Sequence, residues 1–357
     1  MSYEVDVRAV GAESKSGDAI ALRFGDFSSA STQSVVVIDG GYSADGEDLV
    51  SHIRHCYNTS RVDVVISTHP DNDHVSGLRA VLEELDVEYL LIHRPWMVSE
   101  PAKQILKSAR MTNSSAWSYI QKSLAAAQDL EELANRKGIK IAEPFAGATV
   151  FNRIHVIGPT QAYYQTLLPQ FGEATQRSSL FSGLQKAMNR IRETWNEDTL
   201  VEPGDNEVSA VNNSSVILYA DLGEKHFVFT ADAGVQAMTG AVQFATANGI
   251  DIQKASYIQA PHHGSKRNVG PPLLDYLIGP KVPRGQVTGK HVFISAAKEG
   301  EPKHPSKRVT NAIMRRGATV APTKGVHHCF RSLDLPIREG WGPIEHMPFF
   351  EEHDEEE

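Results

Sequence analysis

The sequence predicts a mixed α/β fold (α+β in its strand-first order), and three observations carry that expectation. Short Val/Ile-rich strands precede helices, twice over, in the two halves of the chain. Histidines and aspartates collect where those strands end, the place where α/β proteins put chemistry. The 357 residues are enough to bury a large core, as one big domain or two small ones.

The elements follow in order. Residues 5–10 alternate, 18–24 form a second strand and 34–38 a third, so the first forty residues read as a β-meander. The third strand ends at Asp39-Gly40-Gly41, a carboxylate followed by a tight turn. Residues 48–55 read as a short helix, 62–67 as a buried strand, 77–86 as a helix and 89–92 as another strand. From 95 to 200 the pattern changes. Trp117, Ile120, Leu124, Ala127, Leu130 and Ala134 recur at helical spacing, and Gly138 supplies a stop. Residues 139–141 and 149–157 return to strand, and 182–195 read as helix. Residues 95–200 are thus a mainly helical insertion that partly covers the cleft. Beyond them, 214–219 and 226–230 are strands joined by the turn at 221–224, and 255–259, 292–295 and 318–321 are further strands. Residues 1–340 form the domain; 341–357 are an acidic tail, disordered at its end.

No apolar run approaches the ~20 residues a membrane span needs. The first residues lack the pattern of a signal peptide, so the expected setting is the cytoplasm, with no membrane partner. Cys56 and Cys329 are the two cysteines and form no C-x-x-C pair, so metal binding rests on His and Asp. The formal charge of −9 counts weakly against a nucleic-acid substrate. The charge is uneven, since residues 101–192 carry twelve Lys/Arg against five Asp/Glu.

The densest chemistry is Thr68-His69-Pro70-Asp71-Asn72-Asp73-His74, two imidazoles and two carboxylates within six residues. Such groups ligate divalent ions such as Zn²⁺, Mn²⁺ or Fe²⁺. Four of them cannot crowd into one site at this spacing without strain, so two adjacent metal sites are the natural reading. Asp232 ends the apolar strand Phe227-Val228-Phe229 and is placed to bridge two ions. His262-His263 close another strand; on an extended backbone neighbours point opposite ways, leaving one to ligate and one to face substrate. Ser265 and Lys266 follow as candidate anion contacts, Asn212 and Ser215 lie on a turn before a strand, and His304 on a loop.

These elements in this order resemble the metallo-β-lactamase superfamily, and within it the ComEC-type branch, here free-standing with no channel domain. Asp71 in the His/Asp cluster, Asn212-x-x-Ser215, Ala231-Asp232, His262-His263-Gly264-Ser265, and His304-Pro305-Ser306 with Arg316-Gly317-Ala318 carry the narrower likeness. The resemblance implies a four-layer αββα sandwich with metals at its edge. It implies His69 and Asp71 in one site. Asp73, His74 and one of His262/His263 (His263, leaving His262 to catalysis) belong to the other. Asp232 bridges them, and Asp39 orients the ligand loop from behind. Asn212 stands where relatives carry a ligating His, which leans the first site from Zn²⁺ towards Mn²⁺.

The function expected is a dinuclear metal-dependent phosphodiesterase or nuclease using metal-activated water. Asp73 orients or deprotonates the water, His262 or His304 assists the leaving oxygen, and Ser215, Ser265 and Lys266 contact phosphate. A small phosphodiester or cyclic nucleotide is the alternative substrate. A partner-regulated effector module is a further alternative, with a regulatory protein or a second copy of the chain as partner. The Asp71 substitution and the cytoplasmic setting point away from β-lactamase activity.

Overall fold

The structure, a computed structural model, describes residues 1–11, 15–29, 31–98, 115–171, 190–204, 207–299, 304–339 and 341–354. The chain opens with a meander of β1 (Ser2–Val7), β2 (Ala19–Gly25) and β3 (Gln33–Gly40). Then come α1 (Ser43–Cys56), β4 (Arg61–Ile66), the single turn α2 (Asn72–Val75), α3 (Leu78–Glu84) and β5 (Asp86–Leu91). The short α4 (Pro95–Val98) and the long α5 (Ser115–Lys137) precede β6 (Lys140–Ala142), β7 (Thr149–Val150), β8 (Ile154–Gly158) and α6 (Gln161–Leu167). Next are β9 (Arg190–Arg192), α7 (Ala210–Asn213), β10 (Ile217–Asp221), β11 (His226–Phe229), α8 (Val235–Ala247), β12 (Tyr257–Gln259) and α9 (Pro271–Leu277). The chain ends with β13 (His291–Ile294), α10 (Lys307–Met314), β14 (Thr319–Pro322), β15 (His328–Arg331) and β16 (Glu352–Asp354).

Two seven-stranded sheets result, ordered β15-β1-β2-β3-β4-β5-β6 and β14-β13-β12-β11-β10-β8-β7. Both are antiparallel at one end and parallel at the other: β3, β4, β5 and β6 run parallel, as do β11, β12, β13 and β14. The period-two alternation of the strands decides which side chains meet. Val36, Ile38, Val64 and Ile66 point to the second sheet and pack there with Leu218, Phe227, Phe229 and Phe293. Val35, Val37 and Val65 point outward, under Leu49, Ile53, Val81, Leu124 and Leu130 of the helices. The second sheet's outer face, with Val228, Ile258 and Val292, is covered by Met238, Leu273, Val309 and Ile313. The order is helix, sheet, sheet, helix: the αββα sandwich. Both strand faces are buried, which is why the parallel strands read as continuous Val/Ile runs.

The carboxyl ends of β3 and β4 come together through a glycine contact. A Cβ on Gly77 would lie 1.9 Å from the Gly40 carbonyl oxygen, and one on Gly46 would lie 2.2 Å from that of Gly77. Only bare backbone lets the start of α3 sit on the Asp39-Gly40 turn, where Gly77 N–H donates to Gly41 O at 2.9 Å. Gly77→Ala is expected to destabilise the protein by about 1–3 kcal/mol or more, as overpacking against backbone does. A urea denaturation midpoint equal to wild type would count against the contact.

Sheet edges are tied to the last quarter of the chain. Glu4 and Asp6 on β1 are buried, and Arg338 reaches both, with Nη1 2.9 Å from each Asp6 oxygen. His52 Nε2 and the Tyr57 hydroxyl bond the same carboxylate at 2.9 and 2.7 Å. Further on, β16 pairs with β9, and His353 Nε2 meets the buried Glu193 carboxylate at 2.7 Å. Arg315 is fully buried against that glutamate. The tail is thus packed through 354, while 355–357 lie outside the described residues.

Several elements differ from their sequence-based expectation. Residues 149–157 are a hairpin, because Phe151 and Asn152 both take positive φ (53° and 52°) and reverse the chain. Where the sequence sets 95–200 apart as a mainly helical cover, β6, β7 and β8 take places in the two main sheets. Leu124, Ala127, Leu130 and Ala134 are buried as the helical spacing requires. Much of the expected helix over 182–195 lies outside the described residues, and 190–192 are strand β9. Strands β15 and β16 were not expected. No helix among the described residues is long and apolar enough to cross a membrane.

Candidate metal centre

The His/Asp loop follows β4 directly and is shaped by the carboxylate that ends β3. Asp39, itself at φ 54°, accepts Thr68 N–H at 2.8 Å, the Thr68 hydroxyl at 2.5 Å and His74 Nδ1 at 2.8 Å. That bond fixes the His74 ring: Nδ1 donates its proton to Asp39, and Nε2 is the nitrogen that faces the cluster. One helical turn, α2, then brings Asp73 beside it, with Asp73 Oδ2 3.8 Å from His74 Nε2.

The second half of the chain supplies the opposite wall. Asp232 follows Ala231, whose φ of 44° turns the strand end inward. Its Oδ1 lies 3.4 Å from His74 Nε2 and its Oδ2 lies 3.8 Å from His69 Nε2. One oxygen thus addresses each imidazole of the loop. His263 Nε2 lies 3.5 Å from Asp73 Oδ2, and His69 Nε2 lies 3.7 Å from Asp71 Oδ2.

The expectation that His262 and His263 lie on extended backbone fails. Both are left-handed, at φ 47° and 55°, between Pro261 and Gly264. Their rings still diverge, by 80°. His263 is buried, while the His262 side chain is 32% exposed. Two consecutive non-glycine residues in this region cost energy that surrounding bonds must offset; His262 N–H donates to Ala231 O at 2.9 Å and Ser306 N–H to Gly264 O at 3.1 Å.

Asn212 stands behind Asp232 and His262. Its Nδ2 donates to Asp232 Oδ2 at 3.1 Å and to His262 Nδ1 at 2.9 Å, while its Oδ1 faces the Ser209 hydroxyl. In this orientation it presents a donor to the cluster and braces Asp232 and His262. Because His262 Nδ1 accepts, its proton sits on Nε2. Burial pushes the His262 pKa down despite Asp232, so this imidazole is neutral near pH 7. The His304 ring lies 5.7 Å from it, centroid to centroid. Ser215 and Ser265 are buried and Lys266 is half-buried beside them in sequence.

Five carboxylates and four imidazoles therefore converge: Asp18, Asp39, Asp71, Asp73, Asp232, His69, His74, His262 and His263. Asp18 was missed by sequence reasoning, which saw only the start of a strand. The signal available was a buried-strand neighbour: Gly17-Asp18 enters β2 beside the β3 that ends at Asp39. His69 Nε2, His74 Nε2, Asp232 Oδ1 and His263 Nε2 are all buried without a hydrogen-bond partner. Buried polar atoms are nearly always partnered, and nitrogen and carboxylate donors at this spacing suit a divalent ion. Asp73, His74 and His263 form one group that could hold an ion, Asp39, His69 and His74 another, and Asp18, Asp232 and His263 a third. Asp71 and His262 fall in none of these three groups but flank them. The donor set fits a divalent metal.

The charges bear this out. Burial opposes ionisation of Asp73, yet His74 and His263 hold it down at about 2. Burial also opposes the charged form of His263, but Asp73, Asp232 and Asp18 lift its pKa from 6.5 to about 9. An ion takes a neutral imidazole, so uptake must displace protons. In metal-free protein the His263 contribution to stability is full below about 6.5 and is lost as pH rises through about 9. Metal-free protein is therefore expected to melt progressively lower across that window, and metal-loaded protein to hold its melting temperature. Parallel melts with and without chelator check this; a flat metal-free profile would remove it.

Residues 30–139 match the family model of the metallo-beta-lactamase superfamily. No curated protein matches the chain. Among solved structures, a candidate metallo-beta-lactamase from Thermotoga maritima aligns at 8% identity and TM-score 0.36, over 65% of this chain and 79% of that one. Metallo-beta-lactamase SMB-1 bound to 2-mercaptoethanesulfonate aligns at 12% identity and TM-score 0.32, over 72% and 79%. A variant of the CmlA beta-hydroxylase aligns at 12% identity and TM-score 0.41, over 92% and 54%. The family match spans Asp39 and the whole His69–His74 loop, and the αββα layering surrounds that stretch, so residues 30–139 are similar to the metallo-beta-lactamase superfamily.

Proposed function

We propose that the protein is a metal-dependent hydrolase of phosphodiesters, of the ComEC-type branch, with a single strand of DNA or RNA as its substrate. The observation that carries the reading is the Asp232 carboxylate, whose two oxygens face the imidazoles of His69 and His74 separately. It supports two adjacent ion positions, one with His69 and Asp71, the other with Asp73, His74 and His263. Divalent ions held there, Zn²⁺ or Mn²⁺, would supply an activated water and neutralise charge on the phosphate.

The chain's own groups do the rest. Asp73 is 18% exposed, enough to orient an incoming water from its place beside His263. His262 offers its Nε2–H at the open side and can hand a proton or hydrogen bond to the leaving oxygen. His304, beside it, lines the same mouth. Ser265 and Lys266 follow on the same turn as phosphate contacts.

The exposure pattern favours a narrow substrate. His69 and His74 side chains are fully covered, and the accessible groups of the cluster are Asp71, Asp73 and His262. A duplex would not reach them; one strand or a small phosphodiester would. Of the basic stretch expected to guide a strand, residues 101–114 and 172–189 lie outside the described residues. Cleavage of single-stranded DNA and RNA, duplex, a cyclic nucleotide and a p-nitrophenyl phosphodiester by protein reloaded with Mn²⁺ or Zn²⁺ tests the reading. Metal-dependent strand cleavage that weakens steeply with salt is the expected result. Turnover of the small esters alone, with little salt effect, would replace the polymer by a small substrate. No hydrolysis of any of them with ions bound would overturn the phosphodiester reading.

A further inference from the structure

Asp18 bonds the His74 loop, the turn after Asp39 and Gln259 of the opposite sheet, and no part of the mechanism above uses it. Its N–H donates to Asp73 O at 3.1 Å and its carbonyl accepts Gly41 N–H at 2.7 Å, the residue two past Asp39. Its side chain is buried. Gln259, at the end of β12 in the opposite sheet, donates Nε2–H to Asp18 Oδ2 at 2.8 Å. The other end of that amide, Oε1, accepts Thr230 N–H at 2.9 Å and Ala231 N–H at 3.1 Å, just before Asp232. One side chain therefore spans from the Asp232 turn to Asp18 and through it to the His74 loop.

The second oxygen is the telling atom. Asp18 Oδ1 is buried without a hydrogen-bond partner, and so is His263 Nδ1. Asp18, Asp232 and His263 each place a donor atom within 4.8 Å of the others. His263 Nε2 is the nitrogen turned to Asp73. When that nitrogen is a ligand, Nδ1 must carry the proton and needs an acceptor. Asp39 serves His74 in this way; Asp18 shares a group with His263 and Asp232 but makes no hydrogen bond to that ring.

We propose that Asp18 is the positioning residue of the centre: its carboxylate, held by Gln259, ties the Asp232 turn to the His74 loop, and so sets the distance between the two halves of the metal site. The inference rests on the reading of the cluster as a metal centre and adds to it a carboxylate–amide tie joining the two sheets.

The test is Co²⁺ and Zn²⁺ binding to the full chain, by chelator competition and by the visible spectrum of the cobalt form. Wild type, Asp18→Asn and Gln259→Glu are compared. Asp18→Asn keeps the shape and loses the charge; Gln259→Glu keeps the acceptor for Thr230 and Ala231 but loses the donor to Asp18. Both are expected to weaken one of the two ions by about 10–100-fold, as loss of a supporting carboxylate does, and to change the cobalt spectrum. The metal-free proteins should melt close to wild type. Should Asp18→Asn fail to fold, Gln259→Glu carries the same readout. Wild-type affinity and spectrum in the folded variants would overturn the role given to Asp18 alone. A wild-type chain that takes up neither ion would overturn the metal reading and this inference with it.

Discussion

Protein carrying Asp73→Ala and His74→Ala is expected to lose one ion and with it metal-dependent hydrolysis, by more than the about 100-fold that removal of a merely supporting residue costs. The two residues are consecutive, but they enter the cluster for different reasons. His74 is aimed by Asp39, and Asp73 by the single turn of α2. They supply two of the three donors of the group completed by His263. With both gone, His263 is the one donor of that group left, too few to hold an ion against water. Asp71→Ala should cost less, because Asp71 flanks the groups without completing one. Metal content after dialysis and phosphodiester hydrolysis measure both variants. A double variant retaining two ions and the wild-type rate would sink the assignment; an Asp71 variant worse than the double would exchange the importance of the two positions.

Arg338→Ala is expected to cost about 3–5 kcal/mol of stability, the toll of leaving buried charges without their partner. The guanidinium is 13% exposed, and it faces Asp6 and Glu4 at 0% and 3%. Burial works against the Asp6 charge, but His52, Arg338 and Tyr57 outweigh it and hold the carboxyl well below the usual range. A depressed carboxyl stabilises above its unfolded pKa of about 3.9 and loses that contribution as pH falls through the folded value. The gap between variant and wild type should therefore be widest near pH 7 and shrink on acidification below about 4. Urea unfolding at pH 7 and pH 3 decides it. A gap that is small at pH 7, or constant with pH, would mean that Arg338 merely packs against Tyr57 and Trp341.

The sequence made the His69–His74 loop legible because its groups are neighbours in the chain and their strand is purely apolar. Asp232 and His262-His263 were legible for the same reason: each ends a Val/Ile/Phe strand. Asp18 was not, since its partner Gln259 is 241 positions away and an aspartate at a strand start reads as a turn residue. The part taken by Asn212 depends on which way an amide is turned, which no spacing encodes. The layering was expected from the family resemblance alone, while the apolar runs marked the strands as buried. Strands β15 and β16 were not, being four and three residues long, the second inside an acidic run. The hairpin at 151–152 escaped because Phe-Asn lacks the Asn-Gly signature of its turn.

The pairing of β1 with β15 has a bearing on synthesis. Tyr3 N–H meets the Ser332 hydroxyl across 329 positions of chain. During translation β1, β2 and β3 can form their meander early, but the outer edge of β1 stays open until nearly the whole chain has emerged. An open, apolar strand edge invites pairing with another nascent chain. The buried Glu4 and Asp6 carboxylates lie on that strand and lack the Arg338 guanidinium until then, although Arg23 of β2 already meets Glu4. They act as gatekeepers, keeping the waiting edge soluble in the interval before its own C-terminal strand closes it.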